Sequence, residues 1–457
     1  MKKYEEYKEY LYDWLPTIPK HWQEISLRGL FYLSDERKEN RTDLELLSVY
    51  REFGVIPKSS RTDNKNVESE NTSKYKVVHK NDLVINKMKL WQGSLGISRY
   101  EGFVSPAYIV AHCNFDGDLQ FLNLFLRSPL IKTYYNRISY GIRVGQWDSD
   151  FYSFKQLVIP VPPHKEQEKI VQYLDWQVSN INHLIHGYQK QIKLLQERRQ
   201  TIIDRAATQG INPNVQYKDS GATWIPQIPE HWNMVYSKKL FAQRKDKAFP
   251  NDIQLTSSQK YGIISQDEFM KREGRRLTVV VTGSDILKHV GIGDFVISMR
   301  SFQGGLEYSY VEGKISSAYV MLIPNKEKVY DEYFKWLLKS KSYIKALQGT
   351  SDLVRDGQAL RYANFAKVYL PEIPLEEQKA IADYINSEVA RIDNALPTFQ
   401  KKIELLREYR TRLISDVVTG QIDVRDVVIP EYTPEDDTEI DVVDAPDDTE
   451  EVAEDAE

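Results

Sequence analysis

Thiol chemistry is almost missing from this sequence: its one cysteine, Cys113, rules out an intrachain disulfide and a cysteine-built zinc site. Long hydrophobic runs are missing as well. No apolar stretch approaches the roughly eighteen residues that a membrane span needs, so no membrane partner is expected, and a reduced cytoplasm is the expected compartment. The opening MKKYEEYKEYLYDW is charged and aromatic, without the apolar core of an export signal. Catalytic signatures are scarce too. There is no GxxxxGK[ST] phosphate loop, no HExxH, no GxSxG elbow, and no NPPY or DPPY tetrapeptide of the kind that holds a flipped adenine. Basic residues are absent from 431–457, which holds 14 of the 66 Asp and Glu. The 61 Lys and Arg therefore face only 52 acids in the body, an excess of nine cations hidden beneath a net charge of −5. Such a body suits a polyanionic partner, and the tail reads as a solvated appendage that could screen it from non-specific nucleic acid.

What is present is one sentence written twice. WLPTIPKHW begins at Trp14 and WIPQIPEHW at Trp224, 210 positions later. The parallel continues: NDLVINKM answers GDFVISMR, WQGSLG answers FQGGLE, and VSPAYIV answers ISSAYVM. FKQLVIPVPPHKEQEKI at Phe154 then answers FAKVYLPEIPLEEQKAI at Phe365, with the offset settling at 211. Self-similarity of this kind marks a duplicated unit. Within each copy, short β-branched runs such as DLVIN, AYIVAHC, TVVVTG and SAYVMLIP predict strands, and LQFLNLFLRSPLIKTYYN and DEYFKWLLKSKSYIKAL predict helices, giving α/β domains. The text between the shared anchors differs, so one frame carries two different surfaces.

Each copy closes on a long helical pattern. Ile170, Leu174, Val178, Ile181, Ile185, Tyr188, Ile192, Leu195, Arg199 and Ile202 step by fours and threes, and Ile381, Ile385, Val389, Ile392, Leu396, Phe399, Ile403, Leu406, Arg410 and Leu413 step identically. That is the spacing of a coiled-coil seam, whose centre is Ile181, Ile185, Ile192 and Leu195 against Ile392, Leu396, Ile403 and Leu406. Two such helices most simply pack on each other about an approximate two-fold. Gly187 and Pro397 interrupt the two patterns at one level, where a break or kink is expected.

Among smaller motifs, VGIGD at Val290 is turn chemistry, and the Glu-x-Lys of LEEQK, a fragment of some metal nuclease sites, is better read as acidic residues opening a helix. The Trp/Pro openers are read as clasps that pack each domain start onto the helices, His21 and His231 as structural, and Cys113 as core. The candidate nucleic-acid surface lies in basic and aromatic loops. In the first copy these carry Arg61, Lys65, Lys87, Lys89, Trp91, Gln92, Tyr140, Arg143, Gln146 and Trp147; in the second, Arg275, Arg276, Arg300, Gln303, Arg355, Gln358 and Arg361. Arg and Gln can each make paired hydrogen bonds to a base edge, to guanine and adenine respectively, while Lys neutralises phosphate. For any one loop a solvated face is the competing reading, and recurrence in both copies favours the set.

The Trp/Pro/His-Trp opener, DLVINKMKLWQGSLG with VSPAYIV, the IPVPPHKEQEKI hinge, the paired helices and the closing LISDVVTGQIDV together resemble the specificity subunit of type I restriction-modification enzymes, over about Trp14 to Val424. The resemblance implies an α/β fold in which two target recognition domains alternate with two long helices packed as an antiparallel coiled coil, related by an internal pseudo-two-fold. The expected domains are 1–160 and 214–371 for recognition, 161–213 and 372–430 for the helices, and 431–457 for an acidic disordered tail, which is no part of the family pattern. It further implies double-stranded DNA as ligand, each recognition domain reading one half of a split site. The partners would be two methylation subunits and, in the restriction form, translocase and nuclease subunits. The chain itself would be non-catalytic, with no metal or cofactor; S-adenosylmethionine, ATP and Mg would sit on the partners. A self-contained DNA-modifying enzyme and a coiled-coil scaffold without DNA binding are the alternatives, separated by methylation assays on the isolated chain and by salt-dependent DNA binding.

Overall fold

The computed structural model describes residues 2–51, 53–60, 72–143, 146–274, 286–298, 301–350 and 361–435. The chain mixes sheets and helices, consistent with an α/β protein, and it divides into two compact units: Met1–Lys190 with Phe399–Glu457, and Gln191–Thr398. Among the described residues no helix is long and apolar enough to cross a membrane.

In the first unit one antiparallel sheet orders Phe31–Ser34, Tyr108–Cys113, Leu83–Asn86 and Leu95–Ile97. Every residue of Leu83–Asn86 is buried, which is why DLVIN shows an unbroken apolar run rather than alternation. A second sheet orders Gly54–Pro57, Glu45–Tyr50, Gly102–Val104 and Lys76–Val78, with Gly102–Val104 parallel to Glu45–Tyr50. Leu47, Val49, Val55, Val78, Val84, Val104 and Val110 fill the core between them. The helical stretch after Asp118 is split at Pro129 into Leu119–Leu126 and Lys132–Ile138, since proline supplies no amide to continue the first helix. Cys113 ends its strand half-buried rather than in the core, and burial pushes its thiol up to about 11, which keeps it unreactive.

The second unit has a sheet ordered Phe241–Gln243, Val320–Pro324, Phe295–Ile297 and Glu307–Tyr308, backed by Asp331–Leu337 and Lys341–Gln348. Phe241 anchors an aromatic cluster, with the rings of Phe295, Phe334 and Phe365 at 5.4, 5.3 and 5.7 Å, all edge-on. VGIGD is the turn before Phe295–Ile297, with Gly293 at φ 89°, and its Asp294 is buried and held by both Nε and a terminal nitrogen of Arg244 at 2.6 and 2.9 Å. The strand expected in TVVVTG lies outside the described residues.

The openers are clasps. Trp22 Nε1 donates to Glu166 Oε1 at 2.9 Å, His21 Nε2 stands 2.7 Å from Oε2, and the Tyr4 hydroxyl donates to Oε1 at 2.7 Å. In the other unit Trp232 Nε1 reaches Glu377 Oε1 at 3.1 Å and His231 Nε2 stands 2.8 Å from Oε2. Both glutamates occupy the first turn of a long helix, where the unpaired amides favour negative charge. Glu377, the glutamate of LEEQK, is thereby occupied as an acceptor. The adjoining glutamines tie the hinge: Gln167 donates to Pro162 O and accepts from Asp118 N, both at 2.8 Å, while Gln378 donates to Ile373 O and accepts from Tyr330 N at the same distances. Each hinge strand also pairs with the strand after the clasp, Val158–Val161 with Gln23–Ser26 and Tyr369–Glu372 with Asn233–Tyr236.

The long helices are His164–Gln209 and Leu375–Val418, so Gly187 and Pro397 end neither of them and the expected break is not there. The second stops well short of 430; Thr419–Asp426 instead turns back onto the amino terminus, where Asp423 N donates to Lys2 O at 2.9 Å and Lys2 Nζ meets Asp426 at 2.5 Å. Ile181, Ile185, Ile392 and Ile403 are buried, and Ile192, Leu195, Leu396 and Leu406 half-buried, whereas Leu184, Leu194 and Leu405 off the seam are exposed. Arg410 meets Asn182 and Tyr188 meets Phe399 in the first unit; Arg199 meets Asp393 in the second.

Candidate nucleic-acid interface

In the first unit two loops far apart in sequence are brought together. Lys87–Gln92 forms a tight 3-10 turn directly after the buried strand Leu83–Asn86, started by Asn86, whose side chain accepts from Met88 N at 3.2 Å. It is ended by Gly93 at φ 90°, where only glycine is comfortable and where a Cβ would also come within 2.8 Å of Lys132 Cε. The second loop is the hairpin Tyr140–Arg143 with Gln146–Asp148, in which Tyr140 pairs with Asp148 and Arg143 with Gln146. The join is aromatic and ionic. The Trp91 and Trp147 rings lie 5.1 Å apart at 43°, and Lys87 Nζ is 3.3 Å from Asp148. Trp91 Nε1 is tied to Met88 O at 3.2 Å, which fixes the indole plane.

This arrangement sets two half-exposed indoles beside the 59% exposed Tyr140 and the half-exposed Lys87, Lys89 and Gln92. Flat aromatic faces can stack on bases or sugars, and the lysines supply charge for phosphate. Just after the hairpin in sequence, Asp150 caps Phe151–Phe154, and the Ser153 hydroxyl and amide hold its carboxyl below the usual carboxylate range. The partner that sequence reading missed is Asp148, 61 positions from Lys87. It carries no periodic or motif signal, because only the hairpin register aims it at the lysine. Glu166, Gln167, Glu377 and Gln378 were likewise not singled out as a set, although their recurrence as Glu-Gln at one point of both copies was a usable signal.

In the second unit Arg361 is exposed, directly before Tyr362–Lys367, with its amide donating to Asn364 Oδ1 at 3.2 Å. The helix Gln266–Glu273 leads into Arg275 and Arg276, and its Arg272 lies 4.9 Å over the Tyr261 ring with Lys260 at 4.8 Å. Glu307, in the strand after the short helix Ser301–Gly304, is buried and bonded to Lys339 Nζ at 2.6 Å, and burial pushes its carboxyl upward. Arg61, Lys65, Arg275, Arg276, Arg300, Arg355 and Gln358 lie outside the described residues. For Arg143, Gln146 and Gln303 the backbone placement alone is described. Among the described residues no three His, Cys, Asp or Glu side chains gather as a metal site.

Comparison with known proteins gives concordant matches. Residues 19–194 match the family model of the type I restriction modification DNA specificity domain. The chain is 23% identical over 433 residues to the type I restriction enzyme MjaVIII specificity subunit of Methanocaldococcus jannaschii, covering 90% of this chain and 95% of that one. A chain from a structure concerned with complex assembly and conformational transition of the type I R-M system superposes with a TM-score of 0.61 at 14% identity, covering 89% of this chain and 99% of that one. The HsdS subunit of Thermoanaerobacter tengcongensis matches at 15% identity and a TM-score of 0.46, over 89% and 98% of the two chains.

Proposed function

We propose that the chain is a specificity subunit of a type I restriction-modification enzyme and that each of its halves reads one part of a split, asymmetric DNA site. The readers are 1–160 and 214–371, and the long helices within 161–213 and 372–430 pair as an antiparallel coiled coil about an internal pseudo-two-fold. The contacts favour this arrangement: late residues of one helix meet early residues of the other, Arg410 with Asn182 and Arg199 with Asp393. The chain supplies recognition and no chemistry. Two methylation subunits carrying S-adenosylmethionine act on adenine, and restriction subunits using ATP and Mg join them in the restriction form.

The observation that carries this reading is that one kind of clasp, Trp and His on a helix-opening glutamate, recurs in both units, while the basic and aromatic loop sequences between the shared anchors differ from one copy to the other. A common frame with unlike surfaces is what an asymmetric two-part sequence demands, phosphate contacts giving affinity and base contacts giving identity. In the first half we assign Lys87, Lys89, Trp91, Gln92, Tyr140, Arg143, Gln146 and Trp147, with Arg61 and Lys65, to DNA. In the second we assign Arg275, Arg276, Arg300, Gln303, Arg355, Gln358 and Arg361. The test is to exchange residues 31–154 for the matching segment of a related chain and map methylated adenines in the host. One half of the recognised site should change; alteration of both halves would overturn the assignment of one reader per copy.

A further inference from the structure

The start of the acidic tail is not loose on the surface. Ser179 Oγ donates to Thr433 O at 3.1 Å and accepts from Glu435 N at 2.9 Å. The Glu435 carboxylate then spans two imidazoles, Oε2 at 2.8 Å from His183 Nδ1 and Oε1 at 3.0 Å from His186 Nδ1. Ser179, His183 and His186 are four and three residues apart on the helix His164–Gln209, so they share one face. Four polar contacts thus seize a three-residue stretch whose middle member, Pro434, already restricts the backbone.

The clip matters because of the charge on the chain beyond it. Residues 436–457 hold 12 Asp and Glu and no Lys or Arg, whereas the rest of the chain up to 430 carries a cationic excess. The clip belongs to the unit that also carries Lys87, Lys89, Trp91, Tyr140 and Trp147. No conformation of those 22 residues can carry their charge more than about 75 Å from Glu435, at roughly 3.3–3.6 Å per residue. A charged segment tethered that closely acts at high effective concentration.

We propose that the clip formed by Ser179, His183, His186 and Glu435 tethers residues 436–457 as an intramolecular polyanion that competes with DNA phosphates for the cations of its own unit. This rests on the reading of that unit as a DNA binder. Displacing the tail restores counterions to it, which offsets part of the counterion release that drives DNA binding. The tail therefore lowers duplex affinity and flattens its salt dependence.

The experiment measures binding of random-sequence duplex DNA across a salt series, using the complex assembled with its methylation subunits. Four chains are compared: the full chain, a chain ending at Glu435, a full-length chain with the tail acids changed to Asn and Gln, and His183→Asn with His186→Asn. Truncation and neutralisation should each raise affinity about threefold to tenfold and steepen the salt slope, and the histidine variant should move the same way by less. Equal affinity and slope for full, truncated and neutralised chains would overturn the competitor. A gain on truncation with no change in the histidine variant would overturn the clip. Absence of duplex binding in all four would overturn the DNA-binding reading, and the proposal with it.

Discussion

Arg410 donates to the amide oxygen of the buried Asn182 at 2.8 Å, and Arg199 grips Asp393 at 2.9 Å with both partners open to solvent. Arg199 and Arg410 are 211 positions apart, and so are Asn182 and Asp393. The two contacts join equivalent positions but differ in burial, and burial decides their worth. Asn182→Ala removes a buried acceptor from a charged donor, which costs about 1.5–3 kcal/mol, while Asp393→Ala removes an exposed ion pair worth about 0–1 kcal/mol. Urea midpoints of the two variants should separate accordingly.

The clasps also differ in depth. Glu166 is 7% exposed and takes three donors, whereas Glu377 is 25% exposed and takes two. Each buried donor left without an acceptor costs about 1–3 kcal/mol. Glu166→Ala is therefore expected to cost more than Glu377→Ala, and Glu166→Gln, which keeps an acceptor oxygen, less than either. Thermal unfolding of the three variants checks the order.

Glycines beside the clasp tryptophans give a second graded pair. Gly420 has φ 75°, and a Cβ there would come within 2.4 Å of Pro19 Cδ; Gly210 has φ 76° with nothing nearer than 3.3 Å, at Trp232 Cζ2. Gly210→Ala should pay the left-handed conformation of about 1–2 kcal/mol, and Gly420→Ala that plus roughly 1–3 kcal/mol of overlap. Equal losses in chemical denaturation would mean that Pro19 yields freely.

His79 sits with Nε2 at 2.9 Å from Glu36 and Nδ1 at 3.4 Å from Glu101. The Glu36 hydrogen bond raises its pKa above the ordinary 6.5. A raised folded-state value means that this contribution to stability is fully present below 6.5 and is lost as pH rises through the folded value. His79→Gln should flatten the stability profile between about pH 6 and 8, leaving the alkaline plateau in place. An unchanged profile would show that solvent screens the pair.

For the proposed DNA surface, Trp147→Ala removes one indole and frees the other from its neighbour at 5.1 Å. Loss of a stacked base contact is worth about 1–3 kcal/mol, and it should appear in cognate affinity without a change in salt slope. Lys87→Ala should do the reverse, reducing the slope by about one if the lysine leaves Asp148 for phosphate. Filter binding over a salt series distinguishes the two effects.

The amino-acid sequence by itself determined the doubled opener, the apolar strands DLVIN, AYIVAHC and SAYVMLIP, the seam periodicity of both helices and the separation of an acidic end from a basic body. These are local or periodic properties, carried by neighbours within a few residues, so they can be read without coordinates. Tertiary structure alone decided that the opener histidines and tryptophans close on Glu166 and Glu377, that Trp91 meets Trp147 while Asp148 takes Lys87, and that Glu435 settles between His183 and His186. It also carried both long helices through Gly187 and Pro397, where local propensity argued for interruption. The reason is common to all of these. Hydrogen bonds, ring contacts and ion pairs between residues tens to hundreds of positions apart depend on register and packing, and no local preference encodes them.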